Sequence, residues 1–261
     1  MVLRYFAGKS RLAHRITQCI VAALRHNKGV SCYAEPFAGM FRVGTNICKT
    51  HHNFSDFHLN DSNTDVFEFW KSLLLTEWLP DATPLTPQEY TEWKQSRNIS
   101  AQRTFYGYQL SHRGTFFSGK LPRALYNKQQ SLQGTRRRAR DIKCLFQASQ
   151  GQIRVTCVDV LTASLEYTNT VVFCDPPYLG TTNHGWNEAS ERTFWLILEQ
   201  WADQKLNNLI FVSSNRVLPR VIGLLRTRRL FAVGIGGNGQ PQKDTDVPHH
   251  HVEYLYRVTR R

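Results

Sequence analysis

Two hundred and sixty-one residues with 41% apolar content exclude a disordered chain, and the formal charge of +13 comes from 33 Lys+Arg against 20 Asp+Glu. A chain of this size buries a full core without staples, and suits one large α/β core with an inserted module better than two equal domains. The six Cys include no C-x-x-C pair and there is no apolar run of about eighteen residues. A disulfide scaffold, a zinc knuckle, a spanning helix and a signal peptide are therefore not expected, and a reducing cytoplasm fits best.

In chain order, Leu12, Ile16, Ile20 and Leu24 recur at the helical period behind a potential Ser10 cap. A short strand is predicted over Val30 to Ala34, a helix over Arg42 to Lys49, a strand over Phe54 to Leu59 and a helix over Asp65 to Leu75. At Pro80 the composition changes, and the capping box Thr86-Pro87-Gln88-Glu89 opens a separate helix. The alternation resumes with strands over Ile153 to Val158 and Thr170 to Asp175. A helix over Ser190 to Ala202, a strand over Leu209 to Ser213 and a helix over Val217 to Leu225 follow. Leu230 to Ile235 and Val252 to Val258 flank a Gly-rich turn and read as an antiparallel hairpin closing an otherwise parallel sheet. This organisation divides the chain into a core of residues 1–76 and 150–261 with an insert over 77–149.

The charge sits in that insert. From Arg97 to Lys143 there are eleven basic residues and one acid, Asp141, so this stretch carries +10 of the +13 and the rest is nearly neutral. A strongly basic module on a neutral body is what binding to a phosphate backbone requires, because affinity comes largely from Lys and Arg displacing counterions. A nucleic acid is the expected partner. Arg113, Lys120, Arg123 and Asn127 are suited to base or phosphate contacts, and Arg136, Arg137, Arg138 and Arg140 to phosphates. Phe105, Tyr106, Tyr108, Phe116 and Phe117 are expected to form the insert's own small core rather than a stacking surface.

The sharpest motif is Asp175-Pro176-Pro177-Tyr178, directly after the apolar Val171-Val172-Phe173-Cys174. It falls beyond the carboxyl end of a strand, where open α/β sheets bind ligands. An exocyclic base amine is a poor nucleophile because its lone pair is conjugated into the ring. The Asp175 carboxylate and the Pro176 carbonyl can accept its two hydrogens and free that lone pair. Tyr178 offers a flat face for a base taken out of the duplex, and on this reading the face rather than the hydroxyl is used. No Cys or Ser beside the motif serves as a nucleophile, so direct transfer without a covalent enzyme intermediate is expected. The triple His249-His250-His251 lacks further ligands at metal spacing, and no metal is expected.

On these residues the sequence resembles the Dam-like D12 class of adenine-N6 DNA methyltransferases, which use S-adenosylmethionine. The resemblance implies a Rossmann-like methyltransferase sheet with a terminal antiparallel hairpin and a helical basic DNA-recognition insert. Tyr5-Phe6-Ala7-Gly8-Lys9 is similar to the family's opening segment, which implies that Tyr5, Gly8 and Lys9 approach the cofactor. Glu35-Pro36-Phe37-Ala38-Gly39 resembles its E-P-F-x-G turn, placing Glu35, Pro36, Phe37 and Gly39 at the methionyl end. Asp61 falls where the family holds the ribose hydroxyls, and Asp159 where it accepts from the cofactor's adenine amine. Val212-Ser213-Ser214-Asn215 is similar to the family's L-S-N strand end, and Val233 to Leu255 to its closing hairpin with V-E-x-L. Phe41 stands where the family has a second Gly, and Arg216-Val217 where it has His-Asp. Two alternatives follow: a non-catalytic DNA-binding protein whose pocket Phe41 blocks, and a methyltransferase acting on RNA or on the N4 amine of cytosine.

Overall fold

The computed structural model describes residues 12–50, 54–111, 115–118, 129–149, 151–178, 186–235, 241–242 and 252–261. In chain order the elements are α1 (Ala13–Leu24), β1 (Cys32–Glu35), α2 (Arg42–Thr50), β2 (Asp56–Asn60), α3 (Thr64–Leu75), α4 (Pro87–Gln95), α5 (Ala101–Gln109) and α6 (Gln129–Ala148). There follow β3 (Gln152–Thr156), β4 (Thr170–Cys174), α7 (Glu188–Trp201), β5 (Leu209–Ser214), β6 (Val221–Ile222), β7 (Leu225–Ile235), β8 (Pro241–Gln242) and β9 (Val252–Arg260).

The strands form one sheet in the order β3-β2-β1-β4-β5-β9-β7-β6, with β8 paired to β7. From β3 to β5 all pairs are parallel, while β9 runs antiparallel to both β5 and β7. Every residue of β4 and of β5 is buried, as a parallel strand covered on both faces requires. One face is covered by α1, α2 and α3 around Ile16, Ile47, Phe57, Phe69, Trp70 and Phe173. The other packs Val172, Cys174, Ile210 and Val212 against Phe194, Leu198 and Trp201 of α7. The strand order reverses between β1 and β4, so the crevice of an α/β sheet falls at their carboxyl ends. This is the Rossmann-like sheet that the sequence resemblance implied, with a terminal antiparallel ribbon.

Local chemistry explains most boundaries. Asn63 caps α3 by accepting from the Asp65 and Val66 amides, and the Thr86–Glu89 capping box closes the start of α4. The helix predicted over Val217 to Leu225 is absent. Pro219 and Gly223 interrupt it, and Gly223, at φ +55°, turns β6 back onto a β7 of 11 residues that begins well before Leu230. The proposed cap Ser10 lies outside the described residues, and α1 starts behind Leu12.

Residues of the 77–149 segment do not keep a core of their own. Phe105, Tyr106, Tyr108, Phe117, Leu132, Ala139, Ile142 and Phe146 belong to the same apolar cluster as the sheet face. Two of its cations are structural. Arg103 pairs with Asp65 at 2.9 Å and lies over the rings of Phe116 and Phe117. Lys143, 5% exposed, donates to the Thr76 carbonyl just past the end of α3.

Candidate active site

All five carboxylates at issue lie at one edge of the sheet. Glu35 ends β1, Asp61 follows β2, Asp159 lies three residues beyond β3, and Asp175 follows β4. The fifth, Glu253, is the acid of the V-E-x-L segment, to which the sequence assigned no role. Because β9 is antiparallel to β5, with Ser214 opposite Tyr254, its second residue arrives at this same edge.

The loop after β1 is held from three directions. Ala38 N donates to the Asn60 carbonyl, Trp70 Nε1 to the Gly39 carbonyl at 2.7 Å, and Gly39 N to Asp61 Oδ2 at 2.8 Å. Asn63 N donates to the other Asp61 oxygen, so that carboxylate joins the first loop to the start of α3. Gly39, at φ +47°, occupies the left-handed region. Asn60, buried and missed by sequence reasoning, donates from Nδ2 to the Pro36 and Val158 carbonyls and accepts from Thr156 Oγ1 and Val158 N. It ties the exits of β1 and β3 to β2. Its amide orientation fixes its neighbours: Thr156 donates to Asn60, so His58 Nε2 donates to Thr156, and His58 Nδ1 accepts from Arg154. Burial and the Arg154 charge push the imidazole down to about 4, which keeps it neutral.

Glu35 is 2% exposed. Its Oε1 accepts from the Tyr33 hydroxyl at 2.7 Å and from Gly44 N at 2.6 Å. Burial, reinforced by the charge of Asp175, outweighs these bonds and raises the carboxyl to about 8. Among the described residues no cation pairs with it. Phe41 does not line the crevice. Its backbone takes φ +47°, a region that favours glycine, and the fully buried ring packs against Tyr33, Trp70 and Phe146. Gly44 makes this possible, since a Cβ there would lie 2.2 Å from the ring. The blocked pocket expected from Phe41 is thus not what its side chain does. Phe37 is half-buried and meets Trp186 and Phe194 edge-on. Asp159 is exposed, and its Oδ1 accepts from Leu161 N at 2.9 Å.

At the end of β4, Asp175 and Tyr178 come together through the phenol. The Tyr178 hydroxyl lies 3.1 Å from Asp175 Oδ1, 3.2 Å from Ser213 Oγ and 2.8 Å from Glu253 Oε2. A phenol carries one hydrogen, and the shortest contact directs it to Glu253. The hydroxyl therefore has partners that the expected role of the ring face did not provide for. Pro176, Pro177 and Tyr178 border a cleft of about 30 Å³ with Trp186, Trp195, Ser213 and Asn215. That is room for about one water. Arg216, where the resemblance has a His, pairs with Glu191 of α7.

On α6, Arg137 and Arg140 are exposed, while Arg136 and Arg138 are half-buried, each with one buried guanidinium nitrogen lacking a hydrogen-bond partner. None of the four has an ion-pair partner among the described residues. Arg42, at the start of α2, feels the Arg138 charge, and burial together with that charge pushes it down to about 10. Tyr5, Gly8, Lys9, Arg113, Lys120, Arg123 and Asn127 lie outside the described residues.

A parallel sheet with a strand reversal between β1 and β4, acids at each exit and an antiparallel closing ribbon is the frame of an S-adenosylmethionine-dependent methyltransferase. The chain belongs to the D12 class N6 adenine-specific DNA methyltransferase family, whose model matches residues 5–194. Similar solved structures include the rRNA methyltransferase aviRa of Streptomyces viridochromogenes, at 16% identity and TM-score 0.44 over 100% of this chain and 88% of that one. The 23S rRNA methyltransferase ErmE is 9% identical, with TM-score 0.40 over 98% of this chain and 70% of its own. An S-adenosylmethionine-dependent methyltransferase of Clostridium acetobutylicum is 11% identical, with TM-score 0.39 over 93% and 90%. No curated protein matches the chain in sequence. Likenesses this distant carry nothing about its substrate.

The residues present fit the cofactor. A buried carboxyl with no cationic partner among the described residues, at the crevice of the strand reversal, suits an ammonium group, and the amino acid end of S-adenosylmethionine carries one. Among the described residues no group of His, Cys, Asp and Glu is arranged to hold a metal, and no helix is long and apolar enough to cross a membrane.

Proposed function

We propose that the chain methylates the N6 amine of an adenine flipped out of duplex DNA, and that Asp175-Pro176-Pro177-Tyr178 is its catalytic segment. The observation that carries this reading is the arrangement at the end of β4, where an acceptor carboxylate stands beside an aromatic ring whose phenol is anchored by Glu253, 3.1 Å from Asp175 Oδ1. When bound, S-adenosylmethionine supplies an activated methyl group. Asp175 and the Pro176 carbonyl accept the amine hydrogens and stabilise the charge that develops on nitrogen. Glu253 and Ser213 hold the Tyr178 hydroxyl, which keeps its hydrogen directed away from Asp175 and its ring in place for the base. Glu35 takes the ammonium end of the cofactor, Asp61 and Asp159 its hydroxyl and amine hydrogens, and Pro36, Phe37 and Gly39 shape the approach. Residues 77–149 serve target recognition, with Arg136, Arg137, Arg138 and Arg140 on phosphates and Arg42 beside them.

Incubation with mixed-sequence duplex DNA and labelled S-adenosylmethionine, followed by nucleoside mass spectrometry, tests this. The expected product is N6-methyldeoxyadenosine, lost by 10²- to 10³-fold in Asp175→Ala with cofactor and duplex binding retained. Label found only in RNA, in N4-methylcytosine or in a C5-methylated pyrimidine overturns it, as does near-wild-type transfer by Asp175→Ala.

A further inference from the structure

Outside the insert the chain's charge is not evenly spread. From Val212 to Ala232 there are five arginines and no acid. The β7–β9 pairing brings this stretch against further arginines at the end of the chain. Arg228 stands directly opposite Arg257 and Arg226 opposite Thr259, so cross-strand partners put Arg226, Arg228, Arg257 and Thr259 on one face of the ribbon. Like charges placed directly opposite destabilise a strand pair. Here the conflict is sharpened by burial. Arg257 Nε is buried and has no hydrogen-bond partner, and desolvation with the Arg228 charge lowers the pKa of that guanidinium. Neighbouring Arg260 and Arg216 have carboxylate partners in Asp203 and Glu191. Among the described residues Arg220, Arg226, Arg228, Arg257 and Arg261 have none. They line a groove of about 960 Å³ along the ribbon, together with Thr227 and Tyr256, and no acid is among its described lining residues.

We infer that this arginine groove on the β7–β9 ribbon is a second DNA-binding surface, taking the phosphodiester backbone of the duplex that flanks the methylation target. A phosphate between Arg228 and Arg257 accepts from both guanidinium groups and removes their repulsion, with the planar forks suited to its oxygens. Glu253 lies at the catalytic edge and Arg257 four residues along the same strand, about 14 Å toward the opposite edge, so a duplex engaged at the site meets the groove by lying along the ribbon. The surface makes no demand on base sequence, in contrast to the contacts assigned to the insert. This inference rests on DNA being the substrate, and its test separates the two.

Binding of the full chain to a fluorescent duplex of about 30 base pairs is measured by anisotropy across a salt series. The variants are Arg226→Gln/Arg228→Gln, both exposed in the wild type, Arg228→Gln/Arg257→Gln, and the control Arg192→Gln on α7. Each groove variant is expected to bind on the order of tenfold more weakly at 0.1 M salt, and to lower the slope of log affinity against log salt by about one to two, at ~0.9 per lost phosphate. The control keeps wild-type affinity and slope. Arg228→Gln/Arg257→Gln melts no lower than wild type in the absence of DNA, because a like-charge pair has been removed. Groove variants that are folded and bind with unchanged affinity and slope overturn the inference and leave the proposed function standing. A wild type that binds no duplex overturns both. Variants that lose sedimentation with phosphatidylglycerol vesicles while keeping duplex binding assign the groove to a membrane surface and overturn it as well.

Discussion

The exits of β1 and β4 are adjacent in the sheet and each presents a carboxyl, yet the two groups are handled in opposite ways. Glu35 is fully buried, satisfied at one oxygen by its own strand and the α2 amide, and pushed up to about 8. Asp175 is only half-buried and stands in a polar cluster with Tyr178, Ser213 and Glu253. The difference teaches a division of labour. A desolvated, uncompensated carboxyl gains most from a cation that arrives and stays, as a cofactor's ammonium does. A carboxyl in a half-buried, polar setting suits the transient positive charge proposed for a reacting amine.

The largest effect that sharpens this contrast is the cost of Glu35 to the free protein. Its folded pKa lies above the unfolded value, so the native state binds the extra proton. The stability it permits is fully present below about pH 4.5 and is lost as pH rises toward about 8. The loss is at most about 5 kcal/mol, from 1.36 kcal/mol per pKa unit. Glu35→Gln, whose amide oxygen still accepts from Tyr33 and Gly44, is expected to melt higher than wild type at pH 8 and equally near pH 4.5. A parallel offset at both pH values would break the contrast.

Next in size is the packing that lets Phe41 leave the crevice. Gly44→Ala places a methyl against the Phe41 ring and is expected to cost about 1–3 kcal/mol in denaturant unfolding. Combining it with Phe41→Gly should recover part of the loss from that clash, since the ring is gone and the φ of +47° suits glycine. Additive losses in the double variant would show that the two sites do not meet.

Smaller effects are expected around the phenol. Tyr178→Phe and Glu253→Gln should each lower kcat about tenfold with little change in KM for the cofactor, because they loosen the ring and free no binding group. The double variant should lose little more than either alone, as residues acting through one hydrogen bond do. Full additivity would place Glu253 outside this unit.

Much of this architecture was legible because it is local or periodic. The parallel strands, α2, α3 and α7 follow from apolar spacing and caps, and Asp-Pro-Pro-Tyr is contiguous with the strand that presents it. What escaped is set by register and by partners far along the chain. Glu253 reaches Tyr178 across 75 positions, and only the antiparallel placement of β9 beside β5 brings it there. Asn60 is one residue from the conspicuous Asp61, but its importance lies in bonds to the exits of two other strands. Arg103 and Lys143 read as members of a basic face until Asp65 and the end of α3 turn them inward. The apolar residues of 77–149 announced a core, but the one expected to belong to that segment alone is continuous with the core on the sheet face. The Val217–Leu225 helix failed because helical spacing is cheap in so short a stretch, and Pro219 and Gly223 outweigh it.

The most direct test of the division between the two carboxyls compares Glu35→Gln and Asp175→Ala side by side. S-adenosylmethionine affinity is measured by calorimetry, and N6-methyldeoxyadenosine formation by single turnover on duplex DNA at saturating cofactor. The account predicts a crossed result: Glu35→Gln binds the cofactor at least tenfold more weakly yet transfers near the wild-type rate once saturated, whereas Asp175→Ala binds normally and loses at least 10² in transfer. Equal losses of binding and transfer in both variants, or loss of cofactor binding only in Asp175→Ala, would contradict it.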